Sequence, residues 1–234
     1  TVIQPPISLS FLAWVSLVPF ILACSPDTKP LRLFFTVYIV SLAFWLGNLY
    51  WVGYVTWPGW FAYCMYQGLL WPLVALGIRY SRKRKIPLFF CAAILFVAAE
   101  SMQGFLLGGF YWHFLAHSQY QNISLIQIAD IFGTPGISFL IAMVNGLIAE
   151  LIILNSMQER FTFRDLLKTA FVLDCLLAAL FYGRWRLGQT PESFSRGPVV
   201  AVVQTNVPQI VKESVQDSGM ILNDLLDISR KAQQ

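Results

Sequence analysis

About six long apolar runs, separated by short polar or basic stretches, set the pattern of this chain. Ile7 to Cys24, Leu33 to Val55, Phe61 to Tyr80, Ile86 to about Leu107, Gly136 to Leu154 and Leu166 to Tyr182 each come close to the about 20 residues that a helix needs to cross a bilayer. Turn signals stand between them: Ser25-Pro26-Asp27, Trp57-Pro58-Gly59-Trp60 and Gly133-Thr134-Pro135-Gly136. Pro72 interrupts the third run. His113 to Ile131 is too polar and too short to span. It predicts an interfacial or re-entrant segment, tolerable only where protein or water covers its backbone.

After Gly183 the pattern changes. Gln189 to Gly197 is a polar linker. Pro198 to Gln204, PVVAVVQ, is a β-branched run bounded by turn residues and predicts a buried strand. Val215 to Lys231 places Met220, Ile221, Leu225 and Ile228 roughly on one side and predicts an amphipathic helix. One strand and one helix cannot bury a core alone. The expected fold is therefore an α-helical polytopic membrane protein, about six spans plus an interfacial segment, followed by the first β–α unit of an α/β domain. The expected boundaries are residues 1–183 for the membrane domain, 184–197 for the linker and 198–234 for the start of the second domain.

Composition supports the membrane reading. The 234 residues are 57% hydrophobic and 12% charged, against about 25% charged in a soluble domain. Aromatics make up 15%, as interface belts require. The net charge of +4 matters less than its placement. Arg79, Arg82, Lys83, Arg84 and Lys85 form one dense cluster, which in such a chain reads as a cytoplasmic loop and not as a nucleic-acid surface. The loops at Lys29/Arg32 and Arg160–Lys168 are expected on the same side. Arg184 and Arg186 then fall on the outer side, against the rule. Cys24, Cys64, Cys91 and Cys175 sit in or at the ends of apolar runs without a CxxC pair, as buried structural thiols do. The chain opens on Thr1 with no charged segment before its first apolar run, so it is not expected to begin with a signal peptide and is expected to lack its true start.

One stretch carries more than a span needs. Glu100 to Gln119, ESMQGFLLGGFYWHFLAHSQ, closes an apolar run with a carboxylate and passes Gly104, Gly108 and Gly109. It continues through Phe110-Tyr111-Trp112, two histidines four apart and Ser118-Gln119. A carboxylate at the end of an apolar run is costly unless used or paired. His113 and His117 have the spacing of two metal ligands, but no HExxH, cysteine or aspartate completes a set. Gly104 and Gly108 either pack a helix or relax the backbone of a loop. Asp130, Glu150 and Asp174 lie in or beside apolar runs, where they form either a proton path or separate paired groups.

Three stretches resemble one family, the apolipoprotein N-acyltransferases of bacterial inner membranes. Glu100 to Gln119 is similar to the family's Glu, Arg-Gly, Thr-Gly-Phe-Pro-Trp and closing Ser-Gln pattern. Leu125 to Glu150, LIQIADIFGTPGISFLIAMVNGLIAE, resembles the stretch that follows. Val202 to Gln209, VVQTNVPQ, resembles the first strand of the family's nitrilase-like carbon–nitrogen-hydrolase domain. Gln103 stands where the family has Arg, Tyr111 where it has Pro, and Glu213 where it commonly has Trp.

The resemblance implies a helical membrane bundle carrying a periplasmic nitrilase-like domain. Its reaction moves an acyl chain from a membrane phospholipid to the N-terminal diacylglyceryl-cysteine of a lipoprotein. A Cys nucleophile, a Glu base and a Lys oxyanion donor do this without cofactor or metal. By the family's order those three residues lie beyond Gln234, Lys212 and Glu213 stand too early to be among them, and the chain alone is expected to be inactive. Glu100, Phe110, Trp112, Gln119 and Gln204 become the lipid- or substrate-proximal candidates. The alternative is a non-catalytic membrane scaffold or lipid-binding partner, or less simply a small transporter using Glu150 and Asp174.

Overall fold

The computed structural model describes residues 2–189, 197, 200–204, 206–207 and 218–232. The chain divides into two units, Thr1–Thr190 and Pro191–Gln234. In the first, α1 is Val18–Ala23, α2 Pro30–Asn48, α3 Trp57–Gln67, α4 Leu70–Lys83 and α5 Leu88–Phe105. A short α6, Ile123–Ile126, leads into α7, Ala129–Ser156, and α8, Phe163–Gly188. Among the described residues five helices are long and apolar enough to cross a membrane, with α3 and α4 counting together as Trp57–Lys83.

The expected first span does not form as one helix of spanning length. Ile7 to Cys24 holds only a 3-10 turn, Ser10–Trp14, and the six residues of α1. Pro19 sits at the start of α1, where it begins a helix but cannot continue one from Leu17. The segment is a half-buried strap on α7 instead, with Ala13, Leu17, Val18 and Ile21 in the core and Phe11 and Val15 exposed. Irregular backbone in an apolar surrounding survives only if its polar groups find partners. Asn145 supplies them from the middle of α7. It accepts from the Leu17 amide at 2.8 Å and donates to the Ala13 carbonyl at 2.9 Å. Asn145→Ala leaves both groups without these partners, so a loss of about 2 kcal/mol or more is expected. Thermal unfolding in detergent and faster exchange at the Leu17 amide would show it; an unchanged Leu17 amide would contradict it.

The core lies where α5 crosses α7. Gly146 makes the crossing close: a Cβ there would stand 2.5 Å from the Leu88 carbonyl oxygen and 2.8 Å from Phe89 Cα. One turn on, Glu150 Oε2 accepts from the Leu88 amide at 2.7 Å, taking one of the free N–H groups at the start of α5. Its Oε1 accepts from Lys168 Nζ at 2.6 Å, and Lys168 also reaches Asp165 at 2.9 Å. Nearby in sequence to α5, Arg79 donates to the Thr28 and Pro26 carbonyls and Arg82 to those of Ile21 and Leu22. The basic cluster is thus bonded to the Lys29/Arg32 loop, and the Lys168 region to the start of α5. Cationic side chains here close the exposed carbonyls at the end of α1.

α7 is broken near its start. Gly133 has φ 62 and ψ −166, and Pro135 follows it inside the helix. This is the turn that the Gly-Thr-Pro-Gly sequence predicts, but the helix begins earlier, at Ala129.

In the second unit Ser218–Ala232 forms α9, close to the expected amphipathic helix; residues 215–217 lie outside the described residues. The expected strand is not seen: residues 200–204 carry no strand, and Val200 and Val202 are exposed. A lone strand has no ladder to take its amides and carbonyls, and β-branched composition cannot supply one. Pro198, Val199, Lys212 and Glu213 lie outside the described residues.

Candidate functional site

The sequence that ends α5 forces a reversal. Leu106–Gly108 is a 3-10 turn, and Gly108 and Gly109 have φ 86 and 79, in the left-handed region where a Cβ is strained. The chain then folds back over the end of α5. Gly104 is in the helix and Gly108 in the turn, so the pair shapes a loop and is not a helix-packing stripe. The Tyr111 ring fills the space beside Gly104, 2.8 Å from where a Cβ would stand.

Gln103 fastens the returning chain. Buried on α5, it donates from Nε2 to the Phe110 carbonyl at 2.9 Å and to the Trp112 carbonyl at 2.7 Å. Its own carbonyl accepts from the Phe110 amide at 3.0 Å. Glu100, one turn earlier, accepts from the Leu115 amide at 2.6 Å and hydrogen-bonds the Ser138 hydroxyl. Ser138, on α7, in turn accepts from the Ala116 amide at 3.0 Å. Glu100 and Ser138 together cover the first amides of the 3-10 turn Leu115–Gln119, which have no acceptor of their own. Glu100 is therefore a paired group that ties α5, α7 and the loop.

The aromatic candidates divide. Phe110 is half-buried against Tyr63 and Trp45, with ring centroids at 5.4 and 6.3 Å. Trp112 is 52% exposed and tilts against Trp51 at 6.2 Å. Tyr111 is exposed as well. The loop thus presents Tyr111 and Trp112 outward from a fixed backbone. Gln119 is buried and donates to the Ser10 carbonyl and the Ser118 hydroxyl, both at 3.0 Å, so it anchors the N-terminal strap. Gln204 belongs to the second unit and is exposed.

The two histidines diverge. His117 stacks on Phe114 at 5.4 Å. His113 Nδ1 lies 2.6 Å from Gln4 Oε1, and Gln4 Nε2 donates to the Phe114 carbonyl. That second bond turns Oε1 towards His113, so Nδ1 carries the hydrogen. Among the described residues no three His, Cys, Asp or Glu side chains converge as metal ligands. Burial lowers the His113 pKa from 6.5 to about 4, and burial lowers that of His117 too. The folded state holds the neutral ring, so the unfolded chain takes up the proton first. Stability is full above about pH 6.5 and is lost as pH falls towards about 4. Melting temperature should drop over that window, and His113→Gln should flatten the slope; an equal slope in the variant would contradict the assignment.

Two cavities meet at Glu100. One, of about 220 Å³, is walled by Phe20, Trp45, Trp71 and Phe96, with Glu100 and His113 on its polar side. Trp45 has a buried indole N–H without a partner among the described residues. The other, of about 260 Å³, lies between Glu100, Tyr111, Phe114 and Pro135. The arrangement can hold an apolar or amphiphilic group beside a fixed carboxylate.

The transport-type carboxylates are not brought together. Glu150 pairs with Lys168, and Asp130 pairs with Arg186 at 3.0 Å and accepts from Tyr182. Asp174 is exposed on α8. Sequence reasoning passed over Ser138 and Gln4 and named Gln103 only as a departure. A polar side chain inside an apolar run was the signal available for Ser138 and Gln103.

Residues 1–147 match the family model described as the apolipoprotein N-acyltransferase N-terminal domain. Two curated relatives are named apolipoprotein N-acyltransferase. That of Geobacter metallireducens is 33% identical over 97% of this chain and 45% of its own length. That of Rhodopirellula baltica is 24% identical over 90% of this chain and 39% of its own. The chain spans less than half the length of these relatives. No solved structure is significantly similar to it. With the family model covering most of its length and the reversed loop set at the end of α5, the chain belongs to the apolipoprotein N-acyltransferase family.

Proposed function

We propose that this chain forms the membrane part of an enzyme that moves an acyl chain from a phospholipid to the N-terminal diacylglyceryl-cysteine of a lipoprotein. The observation that carries the reading is the loop from Glu100 to Gln119. It is held by Glu100 and Gln103 so that Tyr111 and Trp112 are exposed on a fixed backbone. Aromatics with a polar edge prefer the membrane–water interface, where a phospholipid ester also lies.

In the reaction a thiolate attacks the phospholipid ester carbonyl. A thioester forms and the lysophospholipid leaves as its alcohol. The lipoprotein's amine then attacks the thioester, the amide forms and the thiol returns. The four cysteines of this chain are free, and Cys24 and Cys64 are buried. The nucleophile is assigned to none of them, so the chain by itself is expected to be inactive. Positive residues at Arg79–Lys85 and Arg160–Lys168 place that side in the cytoplasm. The Glu100–Gln119 loop and the second unit then belong to the periplasmic side of a bacterial inner membrane; the membrane domain, expected over 1–183, is extended to the end of α8 at Gly188, the linker follows it, and 198–234 is the start of a nitrilase-like domain.

A chimera tests this. Residues 1–188, to the end of α8, would replace the matching part of the Geobacter metallireducens relative, and transfer to a diacylglyceryl-cysteinyl peptide would be assayed in phospholipid vesicles. Transfer within about tenfold of the parent, about 1.4 kcal/mol in the barrier, is expected. A folded chimera without transfer would overturn the reading. Transfer by the unfused chain with all four cysteines changed to serine would overturn its assignment of the nucleophile.

A further inference from the structure

Beyond Pro135, which also walls the cavity at Glu100, a long apolar groove runs between α5, α7 and α8. Its volume is about 660 Å³, within the range of about 300–1,000 Å³ typical of ligand pockets. Phe90, Phe132, Phe139, Met143 and Phe171 supply its walls, and Ala178, exposed on α8, lines it as well. On α8 it extends from Phe171 to Tyr182, about 16 Å at the helical rise. That is the depth of one leaflet in a hydrocarbon core of about 30 Å.

The polar end of the groove is specific. Tyr182 lines it and donates to both carboxylate oxygens of Asp130 at 2.8 Å. Arg186 Nε reaches Asp130 at 3.0 Å. Both charged side chains remain partly open, at 47% and 38% exposure. Asp130 is in the first turn of α7 and Arg186 in the last turn of α8, so both stand at the membrane interface. Arg186 is also one of the cations on the side where the positive-inside rule disfavours them. A fixed cation beside a fixed anion, at the head of a one-leaflet apolar groove, matches a phosphate beside an ammonium. An anionic headgroup would meet Asp130 with a like charge.

The geometry points to a binding site for one membrane phospholipid with a zwitterionic headgroup, its acyl chain along α5, α7 and α8 and its phosphate at Arg186. The lipid is a resident one and takes no part in transfer at the Glu100 loop. The inference therefore stands apart from the proposed function.

The test measures lipid carried by the purified chain. After exchange into a sugar detergent, native mass spectrometry would count bound phosphatidylethanolamine and, separately, phosphatidylglycerol of the same chains. One phosphatidylethanolamine per chain is expected, with at least tenfold weaker retention of phosphatidylglycerol. Ala178→Trp fills the groove and should abolish retention. Leu173→Trp, exposed on α8 and not among the groove residues, should leave it unchanged. Arg186→Gln should weaken it at least fivefold. Cys175 also lines the groove, so on the unaltered chain a maleimide should label it several-fold more slowly when phosphatidylethanolamine is added. Equal retention by Ala178→Trp, equal binding of both lipids, or a Cys175 labelling rate indifferent to phosphatidylethanolamine would each overturn the proposal.

Discussion

Gly146→Ala should force α5 away from α7. The added Cβ would meet backbone atoms of Leu88 and Phe89, at 2.5 and 2.8 Å, and backbone cannot swing aside as a side chain can. Overpacking costs about 1–3 kcal/mol, and a site walled by backbone belongs at the upper end. Alanine recovers about 1 kcal/mol of helix propensity over glycine. The net loss is then about 2 kcal/mol. The damage does not stop at the contact. Displacing Leu88 also strains its amide bond to Glu150 Oε2, one turn along α7, and Glu150 holds Lys168 of α8. Three helices should loosen together. Thermal unfolding in detergent and exchange at the Leu88 amide would both report it. A variant as stable as the parent would mean that α5 and α7 do not pack at this distance.

Glu100→Ala should have the larger effect on function. It strips the Leu115 amide of its acceptor and the Ser138 hydroxyl of its partner. Each orphaned buried group costs about 1–3 kcal/mol. Exchange at Leu115 should quicken at least tenfold, which corresponds to about 1.4 kcal/mol. In the active chimera transfer should fall by at least as much, because the loop that carries Trp112 would keep its Gln103 clamp but lose its anchor at Leu115. Glu100→Gln keeps an oxygen for Leu115 and should stay within about threefold of the parent. That comparison separates positioning from charge. Glu100→Ala with parental transfer and parental Leu115 protection would remove Glu100 from the site.

Hydrophobic runs alone marked α2, α4, α5, α7 and α8, because a bilayer demands length and apolarity and both are written residue by residue. The first run met the same criterion and failed. What decides Ile7–Cys24 is Asn145, which satisfies its irregular backbone from 128 and 132 residues away in sequence. No local pattern contains that bond. At residues 200–204 the expected strand is not seen for a related reason, since strand pairing is a property of two segments and β-branched residues specify only one. At the loop, Glu100 stood out as a carboxylate in an apolar run, and Trp112 as an interface aromatic. Gln119, a candidate by resemblance, is buried and bonds the Ser10 carbonyl, a contact no local pattern contains. Gln103 holds the loop through two carbonyls; its polar side chain inside an apolar run flags the position, but nothing local shows which groups it bonds.

The Gly133 break bears on bilayer thickness. α7 has 28 residues, about 42 Å at the helical rise and longer than a hydrocarbon core of about 30 Å. Such a surplus is met by tilting, kinking or local thickening of the lipid. At the Glu150 end the helix is bonded to α5 and α8 and has little freedom to adjust. At the other end Gly133 already divides the first turn from the rest. Hydrophobic mismatch is therefore relieved on one side only, and a thinner or thicker membrane would be felt first at Asp130, where the groove between α7 and α8 opens.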